Sequence, residues 1–209
     1  MEFIDCVYYI NLEHRVDRKE QFEAEMTKLG VPESKLVRIS GIYNKEFGML
    51  GCGLSHKKAL ETFVSSPHKN CLIFEDDFLF TLDMNYVNYL LKSIFEKKVS
   101  YDLVMLAGNL FQTEVTQWPF LRKVLDGQTA SGFLITKDFA PKLVECLEQS
   151  TTLLKDWHEK TGERKHEYCN DIYWKKLQPI SNWFIFHPKL GIQRESYSDN
   201  EYEITNYGV

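Results

Sequence analysis

An acidic triplet lies within the most apolar part of this 209-residue chain. Glu75, Asp76 and Asp77 stand between the apolar residues 72–74 and 78–80. Burying unpaired carboxylates is costly, so such groups normally coordinate a metal, pair with a cation or lie at the open end of a strand. The fold must therefore bury the strand that precedes the triplet and still give its carboxylates a partner.

Strands and helices are predicted to alternate along the chain. The strand candidates are apolar and rich in β-branched residues, and they comprise residues 6–10, 36–39, 71–74, 102–106, 132–136 and 183–186. Apolar residues at helical spacing predict helices around residues 22–29, 59–64, 87–94, 139–147 and 171–177. The alternation predicts an α/β fold with a mostly parallel sheet covered by helices.

Two segments are expected to lack regular structure. Residues 48–53 contain three glycines and are predicted to form a loop. Residues 155–166 are polar and charged around a central glycine, which indicates an exposed loop or a flexible lid.

Length, charge and cysteine content limit the number of domains, the kind of partner and the compartment that we expect for this protein. Residues 1–209 show no internal repeat and suffice for one α/β domain. The net charge of −5 argues against a nucleic-acid partner. Five scattered cysteines favour buried thiols in a reducing, cytoplasmic compartment, with a secretory lumen open if a leader has been removed. No segment approaches the roughly 20 apolar residues of a membrane span.

The triplet itself suggests a cation site. If the chain stays extended there, Glu75 and Asp77 point to one side and Asp76 to the other. Two carboxylates on one side, at the carboxyl end of a parallel strand, suit a hard divalent cation that also binds phosphate oxygens. Solvated acids that cap the next helix are the alternative.

Polar residues near the ends of two other predicted elements are further candidates for ligand binding. Asn11, Arg15 and Arg18 follow the first strand, where α/β sheets bind nucleotides. The arginines are expected to bind a diphosphate or to orient an acidic loop, with a solvated helical turn as the alternative. Ser55 and His56 follow the glycine-containing segment, which suits close approach to a ligand. A helix N-cap for Ser55 and a structural role for His56 are the alternatives.

In their order, these motifs resemble those of glycosyltransferase family 25, which contains lipooligosaccharide and collagen hydroxylysine galactosyltransferases. The resemblance rests on residues 10–18, 51–56, 72–77 and 131–136 and, less tightly, on Asp171 and residues 188–199. One departure is Met49, where the family usually has Glu. The resemblance implies a GT-A type fold, a Rossmann-like sheet in a single domain. Its nucleotide-sugar half would cover about residues 1–110 and its acceptor half residues 111–209.

The resemblance also implies an inverting transfer of a sugar, most often galactose, from a UDP-sugar to an acceptor hydroxyl. The acceptor would be a glycan, a collagen-like hydroxylysine or a lipooligosaccharide. Mn²⁺ or Mg²⁺ is the expected cofactor, with Asp77, Glu75 and the late His187 as ligands, although His187 also suits a simple strand end. Asp171 is the candidate general base, with capping of its own helix as the alternative. The residues expected to contact the donor are Asn11, Arg15, Arg18, Ser55, His56, Glu75 and Asp76.

Three other functions are compatible with the sequence. The first is a glucosyltransferase that uses UDP-glucose, since galactose and glucose differ at one hydroxyl. The second is a non-catalytic binding or adhesion module of the same fold, which Met49 favours. The third is a nucleotidyltransferase, although residues 11–18 lack the glycine-rich loop that this class would place after its first strand.

Overall fold

The apolar runs of the sequence form the strands of one large sheet. The computed structural model describes residues 1–198 and 203–205. The strands are β1 (Cys6–Asn11), β2 (Leu36–Ser40), β3 (Asn70–Glu75), β4 (Phe78–Phe80), β5 (Leu103–Met105), β6 (Asn109–Val115), β7 (Leu121–Gln128), β8 (Gly132–Thr136), β9 (Trp183–Phe186), β10 (Gly191–Gln193), β11 (Ser196–Ser198) and β12 (Glu203–Thr205). The α-helices are α1 (Val16–Leu29), α2 (Gly48–Ser65), α3 (Met84–Glu96), α4 (Ala140–Thr161) and α5 (Asn170–Tyr173).

Eight of these strands make the central sheet, in the order β2-β1-β3-β8-β5-β9-β7-β6. All of them run in one direction except β7 and β8. The predicted architecture, a mostly parallel sheet flanked by helices, is therefore confirmed. Because β1 and β3 are parallel neighbours, Ile10 pairs with Glu75 and both strands end at the same edge.

The two faces of the sheet are covered by different helices. Leu72 and Phe74 of β3 pack into the cluster formed with α1 and α3. Cys71 and Ile73 point the other way, into the cluster formed with α2 and α4. Burial on both faces explains why β3 is an uninterrupted apolar run instead of an alternating one. None of the helices in residues 1–198 has the length and apolar character needed to cross a membrane.

The chain does not stay extended through the acidic triplet. Strand β3 ends at Glu75, the chain turns at Asp76 and Asp77, and β4 then leaves the central sheet. It pairs instead with β10, which places Gln193 opposite Phe78. This pairing carries a residue from near the end of the chain to the triplet.

Two predicted loops are helical. Helix α2 begins at Gly48, so residues 48–53 form its first turns. Gly51 is needed for close packing, since a Cβ there would lie 2.5 Å from the carbonyl oxygen of Ile42. Helix α4 continues to Thr161 and ends at Gly162 in a left-handed conformation, so most of the predicted lid is regular helix.

Candidate functional site

Two adjoining pockets open at the carboxyl edge of β1 and β3. The first, which we call the triplet pocket, is lined by Ile10, Leu12, Arg15, Arg18, Ile42, Tyr43, Asn44, Gly48, Cys52, Ser55, His56, Glu75, Asp76, Asp77 and Gln193. The second, which we call the Asp171 pocket, is lined by Met49, Cys52, Glu75, Asn109, Gln128, Thr129, Ala130, His166, Cys169, Asn170, Asp171, Ile172 and Gln193. Cys52, Glu75 and Gln193 line both pockets, so a ligand that spans the two would pass these side chains.

Arg18 and Asn11 hold the turn of the acidic triplet in place. Arg18 Nη1 lies 3.1 Å from both Asp76 Oδ1 and Asp77 Oδ2. Asn11 Nδ2 donates to Asp76 Oδ2 at 2.7 Å, and its Oδ1 accepts from Arg38 Nε. Of the two roles predicted for Arg18, orienting an acidic loop is the one that this geometry shows.

Asp77 is the least satisfied of the three acids. Its Oδ1 is buried and has no hydrogen-bond partner. Burial raises the pKa of Asp77 to about 7, and the Glu75 carboxylate adds to this rise while the charge of Arg18 opposes it. Buried polar groups are normally paired. A carboxylate oxygen that has no partner and lies beside other negative charges is a suitable ligand for a divalent cation.

The two carboxylate oxygens of Glu75 have different partners. Its Oε1 lies 2.8 Å from His56 Nε2 and 3.7 Å from Cys52 Sγ. Its Oε2 accepts from Gln193 Nε2 at 3.3 Å, and the same nitrogen donates to Asp77 Oδ2 at 3.2 Å. Burial acts to raise the pKa of Glu75, but interactions with His56, Cys52 and Arg18 together outweigh it and the net shift is downward. Glu75 is therefore ionised and positioned between the pockets.

The candidate base, Asp171, lies in the first turn of α5. Its Oδ2 accepts the backbone N–H of Thr129 at 3.0 Å. The carboxylate also accepts its own backbone N–H at the start of α5, so it serves that helix end, the alternative predicted from the sequence, as well as Thr129. Burial raises the pKa of Asp171, although the Thr129 N–H opposes that shift. A carboxylate with a raised pKa beside a pocket suits proton abstraction.

Thr129 holds Asp171 from a strained backbone conformation. Its φ of 88° is one that β-branched residues rarely adopt. We expect Thr129→Gly to raise the free energy of unfolding by about 1 kcal/mol, because glycine adopts this φ without strain. Urea denaturation measures the change. Thr136→Gly, in the ordinary strand β8, is the matched control and should lower stability. A loss of stability in both variants would contradict the assignment of strain.

Three other predicted site residues do not offer a free side chain to either pocket. Asn11 is 1% exposed and uses its side chain within the protein. Ser55 lies inside α2 and not at its start, donating to the carbonyl oxygen of Gly51 and accepting the N–H of Ile42. His187 follows β9, is exposed and lines neither pocket, so the structure does not bring it together with Asp77.

Arg15, in contrast, lines the triplet pocket, where it also pairs with Asp17 at 3.0 Å. Gln193 is a site residue that our assignments from the sequence omitted. The only sequence signal for it was its place in the closing motif of the resemblance, because its position depends on the pairing of β10 with β4.

Comparison with known proteins identifies one family. Residues 46–157 match the family described as glycosyltransferase family 25 (LPS biosynthesis protein). No curated protein matches the chain.

The chain also has distant similarity to several solved structures. A mannose-1-phosphate geranyltransferase from Thermus thermophilus is 10% identical, with 94% of this chain and 76% of that chain covered and a TM-score of 0.49. The glycosyltransferase GlyE of Streptococcus pneumoniae is 16% identical, with coverages of 86% and 44% and a TM-score of 0.45. A glycosyltransferase involved in glycosylation of the major capsid of PBCV-1 is 9% identical, with coverages of 86% and 81% and a TM-score of 0.46.

Proposed function

The chain belongs to glycosyltransferase family 25, and we propose that it is an inverting hexosyltransferase that uses a UDP-sugar, with galactose as the first choice of sugar. The observation that carries this proposal is the position of Asp77, which lines a pocket at the carboxyl edge of the sheet and has a buried carboxylate oxygen without a hydrogen-bond partner. Nucleotides commonly bind at this edge in α/β folds.

We assign the nucleotide of the donor to the triplet pocket. Ile10, Leu12 and Tyr43 supply apolar surface for a base, and Arg15 supplies positive charge for the diphosphate. Ser55, His56 and Asp76 lie in the same wall, although their side chains already have protein partners. Asn11 and Arg18 act on the donor indirectly in this proposal, because they fix the acidic turn.

Asp77 and Glu75 would hold a divalent cation, Mn²⁺ or Mg²⁺. Such an ion supplies neutralisation of the charge that develops on the departing UDP. Glu75 Oε2 and Asp77 Oδ2 already share the Gln193 amide, so the two carboxylates converge on one region of the pocket. His187 is not part of this ligand set.

Asp171 is the proposed general base and accepts the proton of the acceptor hydroxyl. The lining of its pocket includes the uncharged amides of Asn109 and Gln128, which suit the hydroxyl groups of a sugar. A glycan or lipooligosaccharide acceptor fits this lining, and a collagen-like hydroxylysine offers the same reacting hydroxyl. Met49 lies in the same wall, with its Sδ 3.5 Å from Cys169 Sγ, and places no carboxylate there.

The donor is tested by incubating the purified protein with UDP-galactose or UDP-glucose, in Mn²⁺ or in EDTA, and measuring UDP release. We expect slow hydrolysis without an acceptor, dependent on Mn²⁺ and fastest with UDP-galactose. Faster hydrolysis of UDP-glucose would indicate a glucosyltransferase. Absence of both hydrolysis and UDP binding would support the binding module, and a stronger thermal stabilisation by ATP than by UDP would support a nucleotidyltransferase.

A further inference from the structure

Three side chains of different chemistry converge in the wall between the two pockets. Cys52 and His56 lie one turn apart on α2, and both face Glu75 at the end of β3. Their ligand atoms all lie within 4.8 Å of one another. In residues 1–198 and 203–205, this is the one group of three or more His, Cys, Asp and Glu side chains that meets this condition.

We propose that Cys52 Sγ, His56 Nε2 and Glu75 Oε1 form a binding site for a divalent cation of the zinc class. A thiolate and an imidazole select borderline and soft ions, whereas Mn²⁺ and Mg²⁺ prefer oxygen ligands. Zinc commonly takes three protein ligands and one exchangeable ligand when its site opens to solvent.

The cluster suits such an ion after one adjustment: the 2.8 Å hydrogen bond between His56 Nε2 and Glu75 Oε1 must open to about 3.3 Å, the spacing of two ligands of one tetrahedral zinc. The separation of 3.7 Å between Cys52 Sγ and Glu75 Oε1 is close to that of two ligands of one tetrahedral zinc, about 2.3 and 2.0 Å from the metal. His56 is 2% exposed, and its ring lies nearly parallel to that of Phe133 with the ring centroids 6.2 Å apart. Cys52 is partly exposed and lines both pockets, so the fourth position is accessible to water.

This site is distinct from the proposed Mn²⁺ site and does not depend on the proposed function. Glu75 turns Oε1 toward Cys52 and His56, and Oε2 toward Gln193 and Asp77. The two sites therefore share a carboxylate but use opposite oxygens. Binding replaces the proton of the Cys52 thiol with a metal–sulfur bond and releases that proton to solvent, while the metal keeps its oxidation state.

Cobalt(II) tests the site directly, because a bound thiolate gives it a near-ultraviolet charge-transfer band. We expect the metal-free protein to develop this band on titration with Co²⁺ and to lose it on addition of Zn²⁺. Cys52→Ser should abolish the band. Cys169→Ser removes a neighbouring cysteine outside the cluster and should retain it, as should Asp77→Ala, which alters only the proposed Mn²⁺ site.

Circular dichroism establishes whether Cys52→Ser is folded. If it is not, His56→Gln decides the matter, with an expected weakening of Co²⁺ binding by about tenfold or more. Absence of the band in the unaltered protein, or its persistence in folded Cys52→Ser, would overturn the proposal. So would unchanged Co²⁺ affinity in His56→Gln. None of these readouts requires sugar transfer, so failure of the proposed activity leaves the test intact.

Discussion

Asp171→Asn should lower kcat for sugar transfer by about 10²- to 10⁴-fold, the range that a general base typically contributes. The amide keeps the shape of the carboxylate and can still accept the N–H of Thr129, but it cannot take a proton from the acceptor. UDP affinity should stay near that of the unaltered protein, because Asp171 lines the second pocket and not the triplet pocket. Transfer rates and calorimetric titration with UDP measure the two quantities.

The pH dependence of the rate provides an independent check on Asp171. A base must be ionised to act, so kcat/KM should fall as the pH falls through the pKa of Asp171. Burial raises this pKa, so the fall should begin above the range of an ordinary aspartate, about 3.9. The exposed Asp156→Asn is the matched control and should leave kcat unchanged. If Asp171→Asn transferred sugar as fast as that control, Asp171 would not be the base.

Asp77→Asn should weaken Mn²⁺-dependent UDP binding by about 10²-fold or more, since a metal at a phosphoryl oxygen is worth several kcal/mol. The substitution removes a buried negative charge and keeps an oxygen for Arg18. Calorimetric titration of UDP with Mn²⁺ and with EDTA measures the effect. We expect the difference between the two conditions to disappear in the variant.

Thermal denaturation at pH 8 separates this loss of binding from a loss of folding. Because the pKa of Asp77 is raised to about 7, this carboxyl lowers the stability of the metal-free protein progressively from the pKa of an unfolded aspartate, about 3.9, to about pH 7, and the loss is complete at pH 8. Asp77→Asn should therefore melt no lower than the unaltered protein at pH 8. The exposed Asp138→Asn, which also removes one carboxylate, should bind UDP normally. Equal Mn²⁺ dependence of UDP binding in both variants would contradict the proposed site.

Strand β3, which carries the site, was predictable because its apolar residues and the acids that follow them are adjacent in the sequence. The apolar residues of β3 are buried on both faces, and the acids begin where β3 reaches the edge of the sheet. Helices α1 and α3 were likewise predictable from apolar residues at helical spacing.

Glycines and long-range pairings explain what the sequence did not predict. Gly51 suits a loop by propensity, yet it is required inside α2 because the backbone at Ile42 crosses the helix there. The antiparallel pair β6 and β7 lies at the exposed edge of the sheet and has no strong apolar pattern. The roles of Asn11 and Gln193 depend on which strands pair, and composition and spacing do not encode that pairing.

A crystal structure with UDP and Mn²⁺ tests the central claim most directly. We expect Mn²⁺ bound to Asp77 and Glu75, the diphosphate on that ion, and the nucleoside in the triplet pocket, with Asp171 on the opposite side of Glu75. UDP bound in another part of the protein, or Mn²⁺ held by neither carboxylate, would contradict it.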